Sequence, residues 1–359
     1  MSLSDRLARL IAADGPMTVE AFMRHCLHDP QFGYYATRPA LGPPEGEGAG
    51  DFITAPLVSQ MFGELIGLWA VDTWTRMGQP APFRLVEMGP GDGTLMADIL
   101  RAARVVPTFR AAAELWLVET SEPLRQLQRE RLAVHGPRWV ETIAEVPDGA
   151  PMLLVANELL DCLPARQFVR TETGWAERRV GLDADGALAF GLSPAPSGFA
   201  PPPGLESVAP GRLIEISPAQ EALGAAVGAR IAADGGAALF IDYGRDRPEA
   251  GDTLQALSRH QKVDVLASAG AADLTVHADF PAFAAAARSA GAATTPIVGQ
   301  GDFLRALGLE LRATALIRAR PDQADLIARQ RRRLVDPTEM GTLFKAVCVH
   351  TAGLEVAGF

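Results

Sequence analysis

Lysine is nearly missing from this 359-residue chain: Lys262 and Lys345 are the only two among 33 basic residues. Alanine is abundant throughout, so the arginine excess reads as compositional bias and not as a signal for binding RNA. Acidic residues number 43, and the formal charge of −10 argues against a chain held electrostatically to nucleic acid or to an anionic membrane. Cysteine is scarce as well. Cys26, Cys162 and Cys348 are far apart and form no C-x-x-C, which excludes a disulfide framework and a zinc knuckle and points to a reducing compartment. No long apolar run is present: the uncharged stretch from Ala187 to Leu205 contains five prolines, a density that no membrane-spanning helix accepts. The opening segment MSLSDRLARLIAADG has helical spacing without the apolar run and small-residue cleavage site of a secretory signal. A soluble, cytoplasmic protein is the expectation. At 48% hydrophobic and 21% charged residues, the chain has the composition of an ordinary globular fold.

Residues 1–80 read as an N-terminal helical region, with a Gly- and Pro-rich loop between Thr37 and Asp51 placed as a lid. From about 81 to 359, apolar runs alternate with helical stretches: RLVEMG, a helix over 94–104, ELWLVE, a helix over 124–134, then PMLLVAN. This alternation predicts an α/β fold with a doubly wound parallel sheet. Two insertions interrupt it, one of short antiparallel strands over about 165–217 and a polar one over about 252–282. The parallel pattern resumes with a helix over 219–234 and AALFIDYG. Helices near 280–289, 302–307 and 322–335 follow, and LFKAVCVH closes the pattern as an edge or antiparallel strand. Arg331, Arg332 and Arg333 read as a solvated helix face.

The strongest local signal is LVEMGPGDGT (85–94): a buried strand, a glycine turn and a helix start. Glycines at 89, 91 and 93 let a ligand approach the backbone closely. The spacing departs from the dinucleotide pattern G-x-G-x-x-G, and Asp92 puts negative charge where a pyrophosphate would rest. A cationic, ribose-bearing cofactor without phosphate, S-adenosylmethionine, fits better. In that reading Gly89, Gly91, Asp92, Gly93 and Thr94 line the cofactor, and Glu87 holds the loop or the cofactor's ammonium. Glu119, at the end of the next strand, accepts the ribose hydroxyls by analogy with nucleotide sites on this fold. The blander alternative is a strand-to-helix turn without a ligand. PMLLVAN ends in Asn157, assigned to the cofactor, and Glu158 and Asp161 follow it. These two carboxylates are the catalytic candidates, able to clamp a planar guanidinium; a turn-capping Asp161 is the competing reading.

The chain resembles the MidA family of S-adenosylmethionine-dependent methyltransferases. The resemblance is carried by GDFITAPLVSQMFGELIG (50–67), LVEMGPGDGTLMADILR (85–101), LVETSEPLR (117–125), NELLDCLPARQF (157–168), FIDYG (240–244), ADLTVHADF (272–280), QGDFLRALG (300–308) and MGTLFK (340–345). It implies a Rossmann-like class I methyltransferase fold with an N-terminal helical lid and insertions. It also implies that Asp51, Phe52, Thr54, Ser59, Gln60 and Glu64 fold over the cofactor. The expected reaction is methylation of a protein arginine, with a subunit of a respiratory NADH–quinone oxidoreductase as partner. Departures from the family pattern include Asp92 in place of a basic residue, Ala55-Pro56-Leu57 before Ser59-Gln60, and Arg245 after FIDYG. The alternatives are a non-catalytic assembly factor that binds the same cofactor and an NAD-dependent oxidoreductase. No metal is assigned: His277 with Asp273 and Asp279 reads as a structural turn, and His25, Cys26 and His28 as a helix end.

Overall fold

The computed structural model describes residues 2–37, 54–194 and 196–359. They fold into two compact units, one of residues 54–159, 222–246 and 280–359, the other of 2–37, 160–194, 196–221 and 247–279.

The first unit is built on a sheet. Apolar runs rich in Leu and Val give β1 (Phe83–Met88), β2 (Ala113–Val118), β4 (Met152–Asn157) and β5 (Gly236–Arg245), and the short Arg138–Val140 gives β3. Their runs are largely buried because a parallel sheet is covered on both faces. The strand order is β3-β2-β1-β4-β5, all parallel, followed by an antiparallel β6 (Phe344–His350). The last strand is therefore antiparallel as expected, but it is not an edge, because Ala293–Thr294 and Val298–Gly299 pair along its other side. Strand order reverses between β1 and β4, and at such a point the loops beyond the carboxyl ends open a crevice for ligands.

Three helices place that crevice: α1 (Gln60–Arg76), α2 (Thr94–Ala102) and α3 (Glu122–Leu132). Helix α1 starts at Ser59, whose side chain accepts from the Met61 N–H, and it is apolar on most of its circumference, as befits an internal helix. It approaches α2 closely through two glycines. A Cβ on Gly63 would lie 2.5 Å from the Asp98 Cβ, and one on Gly67 would lie 2.9 Å from the Ile99 carbonyl oxygen. The helix Leu309–Ala319, between Gln300–Ala306 and Ala324–Val335, was not foreseen. Only Leu309 and Ala313 of it are buried, so its apolar period is faint. The arginine-rich helix after it is matched by acids, Arg331 meeting Glu310 at 2.6 Å and Arg332 meeting Glu339 at 3.3 Å.

The second unit contains both predicted insertions. Arg166–Thr171, Gly174–Leu182, Leu188–Leu192 and Leu213–Ile216 form an antiparallel sheet, to which Met17–Thr18 adds alongside Arg179 and Val180. Phe168, Trp175, Leu205 and Ile214 make its small core. A three-stranded sheet of Gln255–Ser258, Gln261–Val263 and Asp273–Thr275 forms within the polar insertion.

Candidate functional site

The loop after β1 is built from its own backbone. Gly89, Gly91 and Gly93 take φ of 63°, 55° and 82°, a region that side-chain-bearing residues adopt only under strain. The Gly89 N–H donates to the Val118 carbonyl at 3.1 Å, and Gly93 N–H closes a turn on Pro90 at 2.8 Å. Asp92 does not stand as an open negative charge. One carboxylate oxygen accepts from the Thr94 N–H at 3.0 Å and the other pairs with Arg131 at 2.6 Å. Arg131 also donates to the Thr94 hydroxyl, so the first turn of α2 is tied to α3. The loop is thus less acidic than its sequence suggests. The argument against phosphate from Asp92 loses force, while the argument from glycine spacing stands.

Glu87 lies one residue before the end of β1 with 2% of its surface exposed. Burial first, then the neighbouring Asp92 charge, pushes its carboxyl well above the usual glutamate range, against a hydrogen bond from the Met96 N–H. Among the described residues, Glu87 Oε2 and Asn157 Oδ1 are buried acceptors without a donor. They sit near the carboxyl ends of neighbouring strands, where Met88 faces Ala156 in the register. Buried acceptors of this kind call for a donor, and a cationic one would return Glu87 to its ionised form. The site therefore fits a ligand that brings an ammonium group.

Glu119 follows β2, and its N–H donates to Val140 at 3.0 Å. Its carboxylate accepts from the Ser121 N–H at 2.8 Å and from Gln128 at 3.3 Å, while Arg125 binds its backbone carbonyl at 2.8 Å. Burial raises its carboxyl and these donors oppose the rise. Each carboxylate oxygen carries a second acceptor position, which suits a pair of hydroxyls. Sequence reasoning passed over Gln128 and Trp139. The detectable signal was a polar residue in the buried stripe Leu124, Gln128, Leu132 of α3.

After β4, Glu158 has a φ of 53° and its N–H donates to the Ile241 carbonyl at 2.8 Å. Its Oε1 accepts from the Ala55 N–H at 2.9 Å and from Asn157 Nδ2 at 3.0 Å, so this carboxylate ties the strand end to the segment preceding α1. Thr54 is the N-cap of the short helix Ala55–Val58 without a side-chain cap bond, Ser59 caps α1, and Gln60 is exposed in its first turn. Asp51, Phe52 and most of the predicted lid lie outside the described residues. Glu64, implied to fold over the cofactor, pairs with Arg312 at 2.8 Å.

Asp161 belongs to the other unit and is buried there, with its carbonyl accepting from the Val276 N–H at 2.9 Å. In the same unit Tyr35 donates to Asp273 Oδ1 at 2.8 Å. Burial, followed by the charges of Asp273, Cys162 and Asp161, pushes the Tyr35 phenol well above its usual range. Among the described residues no three His, Cys, Asp or Glu side chains gather in a metal-holding group. That unit also contains a cavity of about 340 Å³, in which Arg178 covers the Phe190 ring and pairs with Asp252 at 2.6 Å.

Comparison with known proteins agrees with this geometry. Residues 65–298 match the model of a family described as S-adenosyl-L-methionine-dependent methyltransferases. The protein arginine methyltransferase NDUFAF7, mitochondrial, of Danio rerio is 34% identical over 96% of this chain and 86% of its own length. Its Homo sapiens counterpart is 32% identical over 93% and 80%. A crystal structure from Burkholderia thailandensis with S-adenosyl-homocysteine bound is 27% identical, covers 99% of this chain and 93% of its own, and superposes with a TM-score of 0.84. These relatives establish the class I methyltransferase fold, S-adenosylmethionine as cofactor and methyl transfer as the activity. They overturn the cytoplasmic location expected from composition, because the similar curated proteins are labelled mitochondrial. Scarce cysteine does not distinguish one compartment from another. No helix among the described residues is long and apolar enough to cross a membrane. With a family match over most of its length and relatives above 30% identity along nearly all of it, the chain belongs to the MidA family of S-adenosylmethionine-dependent methyltransferases.

Proposed function

We propose that this enzyme methylates an arginine nitrogen of a protein partner, and that the acceptor is a subunit of a respiratory NADH–quinone oxidoreductase. The observation that carries the reading is 34% identity, along nearly the whole chain, to a protein named an arginine methyltransferase. The acid-bearing segment after β4 supports it.

When bound, S-adenosylmethionine supplies a methyl group on a sulfonium. Glu119 would accept hydrogen bonds from the ribose hydroxyls, Glu87 and Asn157 would accept from the ammonium, and the glycines of the loop would let the backbone approach the ligand closely. Glu158 is offered as a carboxylate that would orient the planar guanidinium through charge-assisted hydrogen bonds, and Asp161, of the other unit, as a separate candidate for the same role. A guanidinium is protonated at neutral pH, so the attacking nitrogen must shed a proton as the new C–N bond forms and the S–C bond breaks. A carboxylate in this role would hold the nitrogen in line and receive that proton. Incubation with methyl-labelled cofactor and the partner subunit, or a peptide carrying its arginine, tests this. Label on arginine and none on the lysine-substituted peptide is expected; equal labelling of both, or of a small molecule alone, contradicts the proposal.

A further inference from the structure

Gln128 is fully buried on α3, and its side-chain amide joins three elements of the sheet edge. Its Nε2 donates to the Gly91 carbonyl at 2.7 Å and to Glu119 Oε2 at 3.3 Å. Its Oε1 accepts from the Trp139 indole N–H at 2.8 Å. The indole only donates, which settles which end of the amide is oxygen and turns the NH₂ toward the loop and the acid. Glu119 Oε1 is meanwhile held by the Ser121 N–H. The buried carboxylate thus has a donor on each oxygen, from two different directions, and these donors orient it.

We propose that Gln128 is a positioning residue for cofactor binding: it aims the Glu119 carboxylate at the ribose and fixes Gly91 relative to it, so loop and acid form one preorganised cradle. The inference rests on the reading of Glu119 as the ribose-binding acid. It also explains why a polar side chain occupies the middle of an apolar stripe, where Leu or Met would pack without an amide to satisfy.

The test compares S-adenosylhomocysteine with its 2′,3′-dideoxy analogue by calorimetry, in the full chain and in Gln128→Met, which keeps length and removes the donors. Wild type should favour the natural ligand by about tenfold or more. In Gln128→Met this preference should fall below about half its wild-type value, because the acid no longer points at the hydroxyls. Trp139→Phe, which removes only the donor that orients the amide, should reduce the preference in the same direction and keeps the test open if Gln128→Met does not fold. A preference unchanged in the folded variants, with both ligands weakened in proportion, means that Gln128 only packs the fold, and it overturns the proposal. A wild type with no preference, together with Glu119→Ala binding as wild type, overturns the Glu119 reading and this inference with it.

Discussion

The loop after β1 and the segment after β4 leave adjacent parallel strands in the same direction, yet they are held by opposite means. Gly89–Thr94 is shaped by positive φ at three glycines, by a turn from Gly93 to Pro90, and by Asp92 capping the N–H two residues on. Asn157 and Glu158 are held by distant partners: the Ile241 carbonyl on β5 and the Ala55 N–H, 103 residues away in sequence. A site that is local in sequence is preorganised by the backbone, and side chains are strained at its positive-φ glycines. A site assembled from remote segments is tuned by side-chain hydrogen bonds, which tolerate conservative exchange.

The largest effect expected from this contrast is at Gly91. A valine at φ of 55° carries strain of about 1–3 kcal/mol, which the free loop relieves by leaving its ligand-ready shape, so cofactor binding should weaken by roughly five- to 150-fold. Calorimetric titration of Gly91→Val with S-adenosylhomocysteine checks it, and unchanged affinity in a folded variant would remove the loop from the cofactor site. Glu119→Ala should weaken the same ligand by about 1–3 kcal/mol, the scale of hydrogen bonds to a charged group, and leave the fold intact. A collapse of the melting temperature would instead make Glu119 structural.

A smaller, pH-dependent effect sharpens the comparison. The Glu87 carboxyl is raised above its ordinary 4.5, first by burial and then by the neighbouring Asp92 charge, so its ionised form is disfavoured in the free protein. Stability from this group is full below 4.5 and is lost as pH rises from there through the folded-state value. The ionised form receives the ammonium, so affinity should rise over the same window. Glu87→Gln should flatten both trends; a rise in affinity of the same size in that variant assigns the pH dependence to another group.

Most of the sheet was legible because β1, β2, β4 and β5 are near-continuous apolar runs closed by polar residues, and such runs report burial on both faces. The glycine loop was legible for the same local reason. Arg131, which offsets Asp92, was not, since α3 brings it back to the loop from 37 residues beyond Thr94. Nor was the bond from Ala55 to Glu158, which joins two segments that share no sequence pattern. Gln128 left a trace, a polar residue spaced four from Leu124 and Leu132, but a trace of that kind names no partner.

The separation of a cofactor side from an acceptor side is the central claim, and the amide variants Glu158→Gln and Asp161→Asn test it most directly. Affinity for S-adenosylhomocysteine and turnover on the arginine acceptor are measured on the same preparations. The account predicts affinity within about twofold of wild type and turnover reduced at least about tenfold in each, because the charge that orients the guanidinium is gone while the glycine loop and Glu119 are untouched. Equal loss of affinity and turnover would contradict it and move both acids to the cofactor.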